Sequence, residues 1–228
     1  MSQAQRLDRR DLQLGLLAFA ASATDVIAFL KLQHVFTSAM TGNTALLGMA
    51  LGQGRLLAAL LSLLALAGYI AGAAAGALVL RHDPQHELRD ILGLESAMLL
   101  LLTLAWWSRG FPQAAPALQL SVLGAALAMG LQSVAARKIN VDGVPTVVFT
   151  STLTSIVMTL MQVGVRGRPG SLFSARRQAL AFGIYAAAAV LTAAALQWRE
   201  RVAAALPLAA VLVALALQRA VTRRALAA

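Results

Sequence analysis

Eight apolar runs, at about 12–30, 35–52, 56–80, 92–108, 116–136, 145–165, 177–198 and 202–218, alternate with short breaks that collect nearly all of the charge. The third, Leu56–Leu80, has no charged residue over 25 positions. As a helix it is long enough to cross a hydrocarbon core of about 30 Å. Membrane barrels instead show alternating segments of about ten residues, and none appear. The pattern predicts an all-α, polytopic membrane bundle of six to eight crossings, with residues 1–228 as a single integral membrane domain. Arg6, Arg9 and Arg10 precede the first run, and no convincing Ala-x-Ala site is followed by a soluble domain, so that run reads as a retained anchor.

Two runs are interrupted by polar residues. Val35–Leu47 contains Thr37, Thr41, Gly42, Asn43 and Thr44, and the later stretch Thr146–Thr154 contains Thr150 and Thr152. Glycine and backbone-competing side chains at membrane depth are tolerated where they are buried in protein or line a cavity. On a helix, Thr37, Thr41 and Thr44 share one face, as do Thr146, Thr150 and Thr154. The sequence Thr41-Gly42-Asn43-Thr44 also suits a helix break that turns free N–H groups towards a ligand.

Shifting the chain by 109 positions aligns 35–53 with 144–162 and gives six identities in 19, among them Thr37/Thr146 and Thr41/Thr150. Two repeats of four segments follow, at about 12–108 and 116–218. Duplicated, interrupted hydrophobic segments point to the binding site in transporter-like folds. If all eight segments cross, Lys and Arg divide 12 inside to 7 outside; if segments two and six are re-entrant, the division is 14 to 5. The positive-inside rule favours the re-entrant arrangement, whereas the 21 apolar residues of segment six favour a crossing. Both place the two termini in the cytoplasm.

Asp25 lies deep in the first segment, where a carboxylate costs about 2.5–3.5 kcal/mol and must face the protein interior. It suits a proton or ligand site, and equally a structural carboxylate capping a broken helix. Arg137, closing segment five beside Gln132, is the candidate charge partner. Glu95 opens segment four and reads as an interfacial acid at a helix N-terminus. Trp106, Trp107 and Trp198 read as aromatic-belt anchors. Gly68, Gly72 and Gly76 form a small-residue stripe suited to close helix packing, including that of a homo-oligomer.

Composition excludes several classes. The chain is 59% hydrophobic and 12% charged, with a mean hydropathy of +0.74. The net charge of +10 comes from 17 Arg and 2 Lys gathered at segment ends, which argues for a lipid bilayer as partner and against nucleic acid. There is no cysteine and no catalytic or phosphate-binding motif. Neither an enzyme nor a cofactor or metal site is expected.

The segments Ala23-Thr24-Asp25, Phe36–Thr44, Gly130-Leu131-Gln132 and Thr146–Thr154 together resemble the YoaK family of bacterial membrane proteins, a domain of unknown function. Where that family commonly has Thr-Gly-Thr, this chain has Thr150-Ser151-Thr152. The resemblance covers essentially the whole chain and implies a multi-pass protein of the bacterial inner membrane. The expected function is transport of a small polar solute, proton-coupled through Asp25. The alternative is a membrane scaffold or accessory subunit. The expected substrate-binding residues are Asp25, Thr37, Thr41, Gly42, Asn43, Thr44, Gln132, Thr146, Thr150 and Thr152, converging on a polar cavity near the bilayer midplane.

Overall fold

Asp8 starts the first helix because its carboxylate accepts the N–H groups of Arg10 (2.9 Å) and Asp11 (3.1 Å), while Asp11 accepts the N–H of Asp8 (2.9 Å). This reciprocal cap satisfies N–H groups that have no partner inside a helix. Helix α1 (Arg9–Lys31) then runs through a mainly apolar stretch. It ends where Gln33 and His34 both take left-handed backbone angles, at φ 65° and 63°. Non-glycine residues rarely adopt that region, and two in succession reverse the chain sharply.

The computed structural model describes residues 8–80, 87–139, 153–154, 156–159, 161 and 169–226. After α1 come α2 (Met40–Gly52), α3 (Leu56–Val79), α4 (Glu87–Arg109), α5 (Ala117–Ile139), α6 (Pro169–Trp198) and α7 (Glu200–Leu226). Six of these seven are long and apolar enough to cross a membrane; α2, with 13 residues, is not. Large side chains such as Leu63, Ile70, Leu101, Val190 and Leu212 point outward. Serine, threonine, amide and carboxylate groups are turned inward, as expected of a bundle in lipid.

Ion pairs and side-chain bonds fix the direction of each span. At one face Arg177 pairs with Asp11, Gln13 donates to Gln218 (3.2 Å), and Lys138 pairs with Glu87 (2.6 Å). At the other, Lys31 pairs with Glu200 and lies over the Phe111 ring. The first face therefore holds the start of α1, the start of α4 and the end of α7; it is called the terminal face below, and the second the distal face. Helix α1 rises to the distal face, and α3 descends from it. Helix α2 thus leaves and rejoins the distal face without crossing, and α5 ends on the same face from which α6 starts.

The tightest seam is α3 against α5. A Cβ placed on Gly72 would lie 2.0 Å from the Leu127 carbonyl oxygen, one on Gly68 2.5 Å from that of Leu123, and one on Gly130 2.2 Å from that of Tyr69. The backbones touch, which only glycine permits. The stripe expected from sequence is therefore used inside the chain, and it faces α5 rather than a second copy. Trp106 also departs from expectation. It is buried rather than at the membrane surface, its indole donating to Ser121 Oγ (3.2 Å) and its ring against Phe111. Trp107 and Trp198 are exposed.

Gly72→Ala should cost about 3 kcal/mol or more, because the clash is with backbone that cannot rotate away. Gly93→Ala, where nothing lies within 4 Å of the new carbon, should be close to neutral. Melting temperatures of the two purified variants provide the check, and equal values would place the stripe against lipid.

Candidate functional site

Residues 32–39 carry the chain from α1 to α2 without regular structure. Leu32, Val35, Thr37 and Ser38 are buried among them, and their backbone groups need partners. Asp25 supplies two of them, for the N–H groups of Thr37 and Ser38. It is 2% exposed and accepts five hydrogen bonds. Oδ1 takes the N–H of Thr37 (2.7 Å), the Thr37 hydroxyl (2.9 Å) and the N–H of Ser38 (2.8 Å). Oδ2 takes the Ser38 hydroxyl (2.6 Å) and the phenol of Tyr185 on α6 (3.1 Å). Both oxygens are thus engaged, two of the contacts coming from backbone N–H groups, which can only donate.

Asn43 closes the other side of the loop. Its Oδ1 accepts the N–H of Phe36 (2.9 Å) and its Nδ2 donates to the Phe36 carbonyl (2.6 Å), a two-point imitation of a backbone pair. Gly42 leaves room for the Phe36 ring, which a Cβ there would meet at 3.1 Å. That ring stacks on Phe29 of α1, with centroids 5.1 Å apart. The Ser22 hydroxyl donates to the Tyr185 carbonyl (2.7 Å), so α6 is tied to the same place on α1. Residues 36–38 are thus held between two buried polar side chains and cannot slide along either.

Two spaces adjoin this latch. A groove of about 490 Å³ between α1 and α6 is lined by Phe29, Phe36, Val190 and Ala193, with Ser22 and Asp25 on its floor. A second, of about 640 Å³, lies on the distal side between the 32–39 loop, α2 and α3, and it includes Gln33, His34, Gln53, Arg55 and Ser62. The first is mainly apolar and the second carries the polar groups.

Residues 13–218 match the family described as Protein of unknown function (DUF1275). The chain belongs to this family. It is also 32% identical over 152 residues to the UPF0700 transmembrane protein YoaK of Bacillus subtilis (strain 168), an overlap of 65% of this chain and 66% of that protein. The chain thus spans a little under two thirds of the relative's length. No solved structure matches. Together with the six apolar helices, these likenesses make it a multi-pass membrane protein.

Of the residues expected to converge, Asp25, Thr37, Gly42 and Asn43 do so. Thr41 and Thr44 do not. Both are exposed, and the Thr44 hydroxyl bonds back to Met40 O (3.0 Å). Thr37 precedes the helix, so the three threonines share no face. Gln132 donates to Leu17 O (2.9 Å), eight residues from Asp25 along α1 and so about 12 Å away. It does not face Asp25 across a cavity. Arg137 is exposed at the terminal face, five residues further still, and is no partner for Asp25. Thr146, Thr150 and Thr152 lie outside the described residues. Ser38 and Tyr185 were missed as site residues. Ser38 sits inside the interrupted motif, and Tyr185 is one of only two tyrosines in the chain.

Asp25→Asn replaces an acceptor-only group with one that must present an N–H to converging donors. It should destabilise by about 3–5 kcal/mol, the range for breaking a buried charge network. Asn43→Ala should cost about 1–3 kcal/mol, and Tyr185→Phe, which removes one of the five donors, about 1 kcal/mol. Denaturation of the three variants in one detergent gives the order, and a neutral Asp25→Asn would remove Asp25 from the role of latch.

Proposed function

We propose that the protein is a transporter for a small polar solute, with Asp25 acting as the latch of a re-entrant segment and not as the proton carrier. The observation that carries this reading is the irregular stretch 32–39 with the short helix α2, held at membrane depth by ionic hydrogen bonds. Broken, non-crossing segments of this kind are expensive in lipid and are found where a cavity or solute path needs them. The polar groups of the distal-side cavity, Gln33, His34, Gln53 and Arg55, would meet a solute before it reached the latch.

Helix directions support an inverted repeat as well. The unit α1, α3, α4 starts at the terminal face, and the unit α5, α6, α7 starts at the distal face. Helix α3 packs on α5 as α6 packs on α1, and α4 flanks α5 as α7 flanks α1. Three spans per unit, related by an axis in the membrane plane, is a recurrent design among secondary transporters.

With six crossings, Lys and Arg number 14 on the terminal face and 5 on the distal face. By the positive-inside rule this excess favours the terminal face as the cytoplasmic side of a bacterial inner membrane. Reporter fusions at the two ends should both read cytoplasmic, and a periplasmic signal at either end would overturn the six-span arrangement. For function, the purified protein is screened by thermal shift against ions and small polar metabolites, since a ligand bound only by the folded state must stabilise it. A stabilising solute should then accumulate in vesicles carrying the protein. Binding without uptake, or no stabilising solute together with co-purification of a fixed partner, would favour a scaffold.

A further inference from the structure

A second carboxylate lies in the bundle, in circumstances opposite to those of Asp25. Glu95 is on α4, with 0% exposure, and neither of its oxygens has a hydrogen-bond partner. Its segment appeared to open at residue 92, which placed Glu95 at the membrane surface. The helix begins at Glu87, so Glu95 is more than two turns inside it. A bare carboxylate in that position is not tolerated unless a proton or cation neutralises it.

One other oxygen in the same layer lacks a partner. Gln132 on α5 is 2% exposed; its amide N–H is used on Leu17 O, and its Oε1 is unpaired. Helices α4 and α5 run antiparallel, in a register fixed by the Trp106–Ser121 bond and the Glu87–Lys138 pair. Glu95 is eleven residues from Trp106, and Gln132 eleven from Ser121, so the two side chains sit at one depth. Around them the packing is apolar, with Leu92, Leu99, Met129 and Val211 in one cluster.

We propose that Glu95 and Gln132 form a proton-binding site in the bundle core, in which the protonated Glu95 carboxyl donates to Gln132 Oε1. The stoichiometry of orphans favours a proton over a metal ion. Hard cations gather about six or more oxygen ligands, and only three unpaired oxygens occur here. A proton needs one donor and one acceptor, and the two residues supply both. This site does not depend on the transport reading.

Among the described residues, no neighbouring charge competes for the proton. On α4 itself Glu87, Arg89 and Asp90 lie at the terminal face, with Glu87 paired to Lys138 of α5. Arg137 of α5 is exposed there. Helix α7 has no charge between Arg201 and Arg219, and the titratable side chain of α3 is Tyr69. On α1, Asp11 pairs with Arg177, and Asp25 is held by the 32–39 loop and Tyr185.

The test is infrared difference spectroscopy of the full-length protein in lipid between acidic and alkaline buffer, reading the C=O stretch of protonated carboxyls. The wild type should show such a band. Glu95→Gln should lose it, Asp25→Asn should keep it, and Gln132→Met, of similar shape but without the acceptor, should shift its frequency. Glu95→Asp retains the carboxyl on a shorter stem and should displace the band; it serves if Glu95→Gln does not fold. An unchanged band in Glu95→Gln, or none in folded wild type at any pH, overturns the proposal. So would a sodium-dependent rise in melting temperature that disappears in Glu95→Gln, which would make the site a cation site.

Discussion

The distal side of the bundle depends on one requirement, that the buried backbone at Val35, Thr37 and Ser38 be satisfied away from water. A helix meets that requirement internally, and this stretch is not a helix. The cost of an orphaned N–H in such surroundings is several kcal/mol, so the loop needs partners from elsewhere. Asp25 and Asn43 provide them from opposite sides, one as a charged acceptor and the other as a donor–acceptor pair. Charge-assisted bonds are roughly twice as strong as neutral ones, which offsets the desolvation of a carboxylate among apolar side chains. Once the loop is fixed, α2 is short and returns to the face it came from. The described spans are then six, and the start of α1 shares a face with the end of α7.

The spans were legible in the sequence because length and hydropathy alone define them. The re-entrant segment was legible as an anomaly, but its side-chain roles were not. Grouping Thr37, Thr41 and Thr44 on one face assumed helix throughout, whereas the helix begins at Met40. Hydroxyls before that point face Asp25, and those after it are exposed. The decisive quantity is where the helix starts, and no capping residue marks it, because Ala39 has no side-chain bond to offer. What fixes the chain just before that start is Asp25, which holds the N–H groups of Thr37 and Ser38, and only a tertiary contact reveals that. Glu95 was misread for a related reason. Glu87, Arg89 and Asp90 looked like loop, but they form the charged first turn of α4, where acids suit the helix dipole and Lys138 covers Glu87.

The two buried acids show how environment assigns function to one chemical group. Asp25 receives five donors, so its oxygens are occupied and its charge is shared over a rigid frame. Glu95 receives none and sits among aliphatic side chains, where charge has nothing to stabilise it. Titratable groups with environments this different are the ones that divide structural from chemical work in a single site or fold. The sequence ranks Asp25 first because its flanks are conspicuous. The geometry leaves the unpartnered oxygens on the other acid.

The helix seams also differ in what they would permit. Where α3 meets α5, carbonyl oxygens lie within 2.0–2.5 Å of the positions that side-chain carbons would occupy. Packed backbones of this kind resist sliding, since any shift along the axis drives one main chain into the other. Where α1 meets α6, the close approach at Gly15 is to Ile184 Cδ1, at 2.9 Å. That is the far end of a flexible side chain, and an open groove adjoins it on the distal side. A relative movement of the two sets of three helices therefore meets less steric resistance at α1–α6 than at α3–α5. The Tyr185–Asp25 bond bridges that compliant seam and joins it to the latch. A change in the position of α6 would act first on the Tyr185 phenol, and through it on the carboxylate that holds the re-entrant loop.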